Sequence, residues 1–220
     1  MPKPFHETLT PEKALIFRAT HRANVPWTLA HGLQCSQSSV LDPNFVSIGN
    51  EELIAKRDTR DVPIPPGGRL SHYIPFYFTP YSPMLYNIRT GYGDIRQRPN
   101  EDIVIFVSSL IALEKHGVPY VFTDRHAYLA TASFFNDRAT SLRHVDFELL
   151  QRRDFKRDEK SDPGRMERYQ AEALAHLHIP VSALLGLACY TETVQQEVES
   201  EIARAGAALK AVTRPNWYFQ

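Results

Sequence analysis

The sequence predicts an α+β fold. Short stretches of β-branched and aromatic residues alternate with short helix-like stretches, without the regular strand–helix rhythm that builds a doubly wound parallel sheet. Ile103 to Val107 (Ile-Val-Ile-Phe-Val) is a run typical of a buried strand. Glu172 to Ile179 alternates with a period of two, whereas Val194, Val198 and Ile202 recur at helical spacing within Glu192 to Ala205. At 220 residues the chain is expected to be one domain, 1–220, with a sizeable core.

Ala14 to Thr20 reads as the first strand and leads into His21. Asn24 is expected to cap a short helix with Pro26 in its first turn, followed by Trp27, Leu29 and Ala30 and stopped by Gly32. Ser36 to Gly49 is polar and turn-rich, suited to a loop over a ligand. Asn50 is expected to cap a second helix, Glu51 to Arg57, with acids in its first turn and cations in its last. Pro63 to Gly68 turns the chain into an aromatic strand, Tyr73 to Phe78, whose Pro75 argues for an edge or a bulge. Met84 to Arg89 reads as a helical turn, and Arg89, Arg96 and Arg98 sit on a connector with Gly91 and Gly93.

The buried strand at Ile103 is followed by a helix at Leu110 to Lys115, a strand at Tyr120 to Thr123 and a helical pattern at Ala127 to Ala139. In the period-two stretch, Ala173, Ala175, Leu177 and Ile179 form the face expected to be buried. Its Ala, Leu, Glu and Gln content would also permit a helix. Val181 to Tyr190 and Leu209 to Thr213 read as strands, and Trp217-Tyr218-Phe219 as an aromatic anchor.

Acidic and basic residues number 25 each, so no global field points to nucleic acid and any basic site must be local. The apolar runs are too short to span a bilayer, and Met1 to His6 carries no apolar signal segment. Cys35 and Cys189 make neither a disulfide framework nor a metal cluster, which suits the reducing cytoplasm. His176 and His178 could share a zinc ion, but no third ligand is evident, so no metal is expected. Dinucleotide-fold, Walker A, zincin and hydrolase signatures are missing.

Two features suggest chemistry. Glu172 stands at the head of a strand after a long charged stretch, where an acid can be held rigidly beside a ligand. Arg152, Arg153, Lys156 and Arg157 surround Phe155. They could follow a phosphate backbone while the ring stacks on a base, or form a solvated charge run neutralised by Asp154, Asp158 and Glu159.

Several collinear segments together resemble the DarT DNA ADP-ribosyltransferases, toxins of DarT–DarG toxin–antitoxin pairs. They are Arg18-Ala19-Thr20-His21-Arg22-Ala23-Asn24-Val25-Pro26-Trp27, Gly49 to Arg57, Pro65 to Gly68, Tyr73 to Leu85, Phe122-Thr123-Asp124-Arg125-His126-Ala127-Tyr128, and Arg168 to Leu174. The resemblance implies an ADP-ribosyltransferase fold, with a split and mainly antiparallel β-core, flanking helices and NAD in the cleft. It implies transfer of ADP-ribose from NAD, as co-substrate, to a base in single-stranded DNA, thymidine in preference to guanosine. A macrodomain antitoxin of the DarG kind is the implied protein partner. By position, Glu172 matches the catalytic glutamate and Arg57 the arginine given a catalytic role beside NAD. Arg18, Ala19, Thr20, Trp27 and Cys35 match cofactor contacts. Residues 40–59 correspond to a NAD-covering element and 126–172 to a substrate-recognition loop, in which Arg125 and His126 are implied to bind DNA or shape the loop. Tyr73 or Tyr77 is a candidate to stack on nicotinamide. An inactive single-stranded nucleic-acid-binding module and a protein-directed transferase are the competing readings.

Overall fold

The computed structural model describes residues 7–220, so Met1 to His6, where no signal segment is expected, lies outside the described residues. Strand β1 (Leu15–His21) carries the run Leu-Ile-Phe-Arg-Ala-Thr-His, as its β-branched and aromatic content predicts. Helix α1 (Val25–His31) has Asn24 at the expected cap position, but the side chain makes no cap bond. Its amide donates instead to Thr20 Oγ1 (3.0 Å) and Val46 O (2.9 Å), and its oxygen accepts the Val46 N–H (2.9 Å). The asparagine therefore pins the far end of the Ser36–Gly49 loop to β1. Gly32 ends α1 with φ of +74°, and β2 (Leu33–Gln34) follows.

In α2 (Glu51–Lys56) the Asn50 side chain accepts the Leu53 N–H at 2.8 Å, the expected cap. Strand β3 (Tyr73–Tyr77) comes after the Pro-Pro-Gly-Gly turn, then α3 (Pro83–Thr90), β4 (Ile103–Ser109), α4 (Leu110–Lys115) and β5 (Tyr120–Thr123). No helix spans Ala127 to Ala139. Asp124 draws the segment back, its backbone N–H donating to Ser133 O and its carboxylate accepting the Ser133 N–H. Phe134 and Phe135 then form β6 (Phe134–Phe135) against Phe122 and Thr123. Helix α5 (Arg138–Ser141) starts only at the Asp137 cap. Helices α6 (Phe147–Arg152) and α7 (Arg165–Tyr169) flank the charged stretch, and β7 (Glu172–His176) follows immediately.

Strand, not helix, is thus the outcome for the stretch headed by Glu172, although its burial differs from simple alternation. Ala173 and Ala175 face the main core, and Leu174, on the other face, is equally buried in a second cluster with Val62, Leu70, Tyr73, Val121 and Ala127. Leu177 takes a positive φ and points outward, separating β7 from β8 (His178–Ile179). Val181 to Leu185 is not strand. Only β9 (Gly186–Cys189) is, and it runs parallel to β10 (Ala211–Thr213) beyond α8 (Glu192–Arg204), whose Val194, Val198 and Ile202 are buried.

The main sheet has the order β10-β9-β4-β1-β3-β7-β5-β6. Strands β1 and β4 pair along the whole of β1, and β3 and β7 along the whole of β3. Between β1 and β3 the ladder is reduced to Phe17 opposite Tyr77. The sheet is therefore two halves that meet at one rung and part beyond it. Pro75 is explained by this parting, although β3 lies in the middle of the sheet rather than at an edge. Its carbonyl faces β1, where Arg18 Nη1 donates to it at 2.9 Å, so the missing N–H falls on the side where no ladder forms. At the C-terminus, Phe219 stacks on Tyr81 with ring centroids 3.7 Å apart, and the Tyr218 hydroxyl donates to Ala188 O at 2.9 Å. Among the described residues, no helix is long and apolar enough to cross a membrane.

Gly32 has a further constraint: a Cβ there would collide with Ile179 O and the His178 ring of β8. Gly32→Ala is expected to destabilise the fold by about 1–3 kcal/mol, measured as a lowered urea midpoint at unchanged slope.

Candidate active site

Glu172 is the most deeply buried carboxylate of the described residues, with 2% of its surface exposed. It heads β7, next to the parting of the sheet, with Tyr77 its cross-strand partner on β3. An isolated carboxylate in such a position would be costly, and three groups compensate. Arg57 Nη1 donates to Oε2 at 3.0 Å. The Ala127 N–H donates to Oε1 at 3.0 Å, and His126 Nδ1 lies 3.7 Å from the same oxygen. Burial alone would push the carboxyl up. The Arg57 charge, then the His126 ring and the Ala127 N–H, outweigh it and hold Glu172 below the usual carboxylate range.

Arg57 reaches this carboxylate because its segment is docked from below. Val62 and Leu70 pack into the cluster around Leu174, laying residues 57–72 across β3, β7 and β5. Arg57 itself follows α2 as the first residue of a short 3-10 turn. In that turn Asp58 accepts the Ser71 hydroxyl at 2.7 Å and the Gln37 amide at 3.4 Å, tying it to the turn that precedes β3 and to the Ser36–Gly49 loop. Arg57 Nη2 is buried and has no hydrogen-bond partner among the described residues. A buried guanidinium N–H left over in this way is suited to an anionic oxygen.

Arg18 sits on the other lip of the parting. Burial, and then the neighbouring Arg57 charge, lower its guanidinium to about 10, so it stays protonated at neutral pH. Two largely buried cations beside one carboxylate leave an excess of positive charge, which fits a diphosphate. Tyr77 shares this environment: burial and the Glu172 charge raise its phenol, which remains protonated. Tyr73 does not share it. Its ring lies in the second apolar cluster with its hydroxyl donating to Gly67 O, so of the two stacking candidates only Tyr77 stands by the carboxylate.

The other expected contacts are more dispersed. Thr20 is buried and accepts the Asn24 amide, Ala19 is partly buried, and Trp27 packs edge-on against His31. The Cys35 thiol is buried in the main core, so only its backbone is available to a ligand, and its N–H already donates to Leu177 O. Among the described residues no cluster of His, Cys, Asp and Glu could hold a metal ion.

The stretch from 126 to 172 is held by its own charges. Arg165 donates to Asp154, Asp158 and Asp162, and Arg168 to Asp162 and Asp146. Phe155 is not a free stacking ring. It packs among Tyr81, Tyr86, Tyr169 and Phe219. Arg153 lies over the Tyr81 ring at 4.8 Å, and Arg125 forks onto its neighbour Asp124. Arg152, Lys156 and Arg157 remain exposed. The site contributors that the residue pattern does not announce are the Ala127 N–H, Asp58 and the Pro75 carbonyl. Two of these act through the backbone, which carries no residue-type signal.

A split antiparallel sheet with an arginine-paired glutamate at the head of a central strand defines the ADP-ribosyltransferase class. Residues 17–219 match the family described as "ssDNA thymidine ADP-ribosyltransferase, DarT", and the chain belongs to that family. It is 48% identical over 215 residues to a DNA ADP-ribosyl transferase of Escherichia coli O127:H6, covering 98% of each chain. Thermus sp. 2.9 DarT in complex with ADP-ribosylated ssDNA superposes with a TM-score of 0.83 at 33% identity, covering 95% of this chain and 98% of that one. The same protein in complex with NAD+ gives a TM-score of 0.78, covering 95% and 99%.

Because its folded-state pKa is depressed below the reference value of 4.5, Glu172 contributes stability that is fully present above that value. That contribution is lost as pH falls through the lower, folded value. The urea midpoint of Glu172→Gln is therefore expected to vary less with pH than that of the wild type below about pH 4.5, as measured by denaturation from pH 6 downward.

Proposed function

We propose that this protein transfers ADP-ribose from NAD to a ring nitrogen of thymidine in single-stranded DNA and releases nicotinamide. The observation that carries the proposal is the buried Glu172 carboxylate, kept ionised by Arg57 and the Ala127 N–H. Family membership and the substrates named for the relatives support the same reading.

The bond between the ribose carbon and nicotinamide breaks with its electron pair going to nicotinamide, and positive charge spreads over the sugar carbon and ring oxygen. A fixed carboxylate that accepts hydrogen bonds from the ribose hydroxyls and faces that charge stabilises the transition state more than the ground state. Arg57 holds this carboxylate in its charged form and keeps Nη2 unpaired for an incoming anion. The acceptor nitrogen loses its proton to solvent water as it bonds to the ribose carbon. A guanidinium is effectively always protonated, so Arg57 suits stabilising the developing anion on the base better than carrying off its proton.

A base stacked in a duplex cannot offer its ring nitrogen, so the DNA is single-stranded or locally opened. Arg152, Lys156 and Arg157, exposed beyond the Arg165 network, are the residues we assign to the phosphate backbone, with Arg153 beside them on Tyr81. Arg125 and His126 shape the turn over Glu172. We read residues 1–220 as one catalytic domain, with 40–59 covering NAD, where Arg18, Ala19, Thr20, Trp27 and Cys35 are the assigned contacts, and with 126–172 reading DNA. Cytoplasmic action follows from both substrates being found there. The family resemblance also leads us to propose a toxin role and a macrodomain antitoxin as partner, which a macrodomain gene beside this one would support.

Mass spectrometry of a thymidine-containing oligonucleotide incubated with NAD is expected to show one added ADP-ribose, and label on protein with none on DNA would overturn the assignment. Glu172→Gln is expected to lose at least about a hundredfold in kcat, roughly 3 kcal/mol, while still unfolding cooperatively near neutral pH, though at a lower urea midpoint than the wild type. For the DNA contacts, replacing Arg152, Lys156 and Arg157 with Ala should flatten the logarithmic salt dependence of oligonucleotide binding by about 2. An unchanged slope would return those cations to a purely solvated role.

A further inference from the structure

Thr123 ends β5 and is fully buried, though it carries a hydroxyl. The pairing of β5 with β7 stops at Phe122 opposite Ala173, one rung short of Glu172. At the missing rung the Glu172 N–H donates to the Thr123 hydroxyl oxygen at 3.1 Å. The single hydroxyl proton goes to Arg125 O, only 2.6 Å away, since the alternative acceptor, Glu172 O, lies at 3.5 Å. One side chain thus replaces a ladder bond at the head of β7 and closes the turn through Asp124 and Arg125. Two residues later that turn aims the Ala127 N–H at Glu172 Oε1. From its other side the turn is held by α7, where the His126 N–H donates to Glu167 O at 3.0 Å.

We infer that Thr123 is a positioning residue for the reaction: its hydroxyl fixes the Ala127 N–H against the Glu172 carboxylate by joining the strand that bears one to the turn that bears the other. The inference rests on the reading of Glu172 as the catalytic carboxylate. A valine at 123 has the same shape, but it leaves Glu172 N–H and Arg125 O without partners, so the turn can relax away and its N–H with it. The remaining groups facing the carboxylate are Arg57 from the 3-10 turn, His126 from the same turn as Ala127, and Tyr77 from β3, with Arg18 behind Arg57. Arg57, Tyr77 and Arg18 stand on other segments and stay in place, while His126 moves with the turn, which acts in the same direction on the carboxylate. Loss of one N–H donor to a carboxylate favours its protonated form, so the direction of the effect is fixed.

The test compares kcat, KM for NAD and the acid limb of the pH–rate profile for wild type, Thr123→Val, Thr123→Ser and Thr123→Cys, with Glu172→Gln as control. Thr123→Val is expected to lose about ten- to a hundredfold in kcat at little change in KM, with its acid limb displaced to higher pH. Thr123→Ser, which keeps the hydroxyl, should restore both. Thr123→Cys, with a weak S–H donor, should fall between, and it carries the comparison if the valine variant has no cooperative melt. Wild-type kcat and acid limb in a folded Thr123→Val or Thr123→Cys would overturn the inference. So would a serine variant as impaired as the valine. An active Glu172→Gln would instead remove the reading beneath it, so the two failures are separable.

Discussion

A carboxylate withdrawn from water needs compensation of several kcal/mol, and around Glu172 that requirement organises its surroundings. Arg57 supplies opposite charge from one side and the Ala127 N–H supplies a dipole from the other. Each must come from a segment distant in sequence and be held against thermal motion. For the first, Val62 and Leu70 anchor the arginine's segment on the sheet while Asp58 ties its turn to Ser71. For the second, Thr123 and Glu167 grip the turn. The apolar cluster around Leu174 is therefore part of the site's electrostatics: without that docking, the positive charge has no reason to sit over the strand. Arg57 Nη2, buried and unspent, is what remains for a ligand.

The cleft has an equally specific origin. A continuous ladder between β1 and β3 would close the sheet, and Pro75 prevents it because it has no N–H to give on the side facing β1. Arg18 then bridges the parted strands by its side chain and leaves a cation on the lip. One residue that cannot donate and one that donates over a distance keep the two halves apart yet registered. The loop from Ser36 to Gly49, moored at Val46 by Asn24 and at Ser47 by Arg98, stretches from the β1 side toward Arg57.

Much of this was readable from residue pattern. The β-branched run at Ile103, the period-two stretch headed by Glu172, the Asn50 cap that sets where Arg57 falls, and the spacing of Val194, Val198 and Ile202 all express side-chain preferences. Those preferences survive packing, so these elements appear where expected. The errors have physical sources too. Ala127 to Ala139 contains good helix formers, but Asp124 bonding to Ser133 and the pairing of Phe134 and Phe135 outweigh propensity. Pro75 argued for an edge, since a sheet split down its middle cannot be seen before its strands are ordered. Phe155 appeared free to stack because the tyrosines and Phe219 that enclose it come from remote parts of the chain. The resemblance of short motifs located Glu172 and Arg57 together, whereas the Ala127 N–H, a backbone group, could be found only in three dimensions.

The C-terminal residues reach further into the molecule than their position suggests. Phe219 lies flat on Tyr81, whose carbonyl accepts the Tyr169 hydroxyl three residues before Glu172, while Tyr218 is sealed against β9. Phe155, Tyr169 and Phe219 thus gather remote segments into one aromatic layer just ahead of Glu172, so the place where that strand begins is set partly by a ring that the chain supplies only after β10.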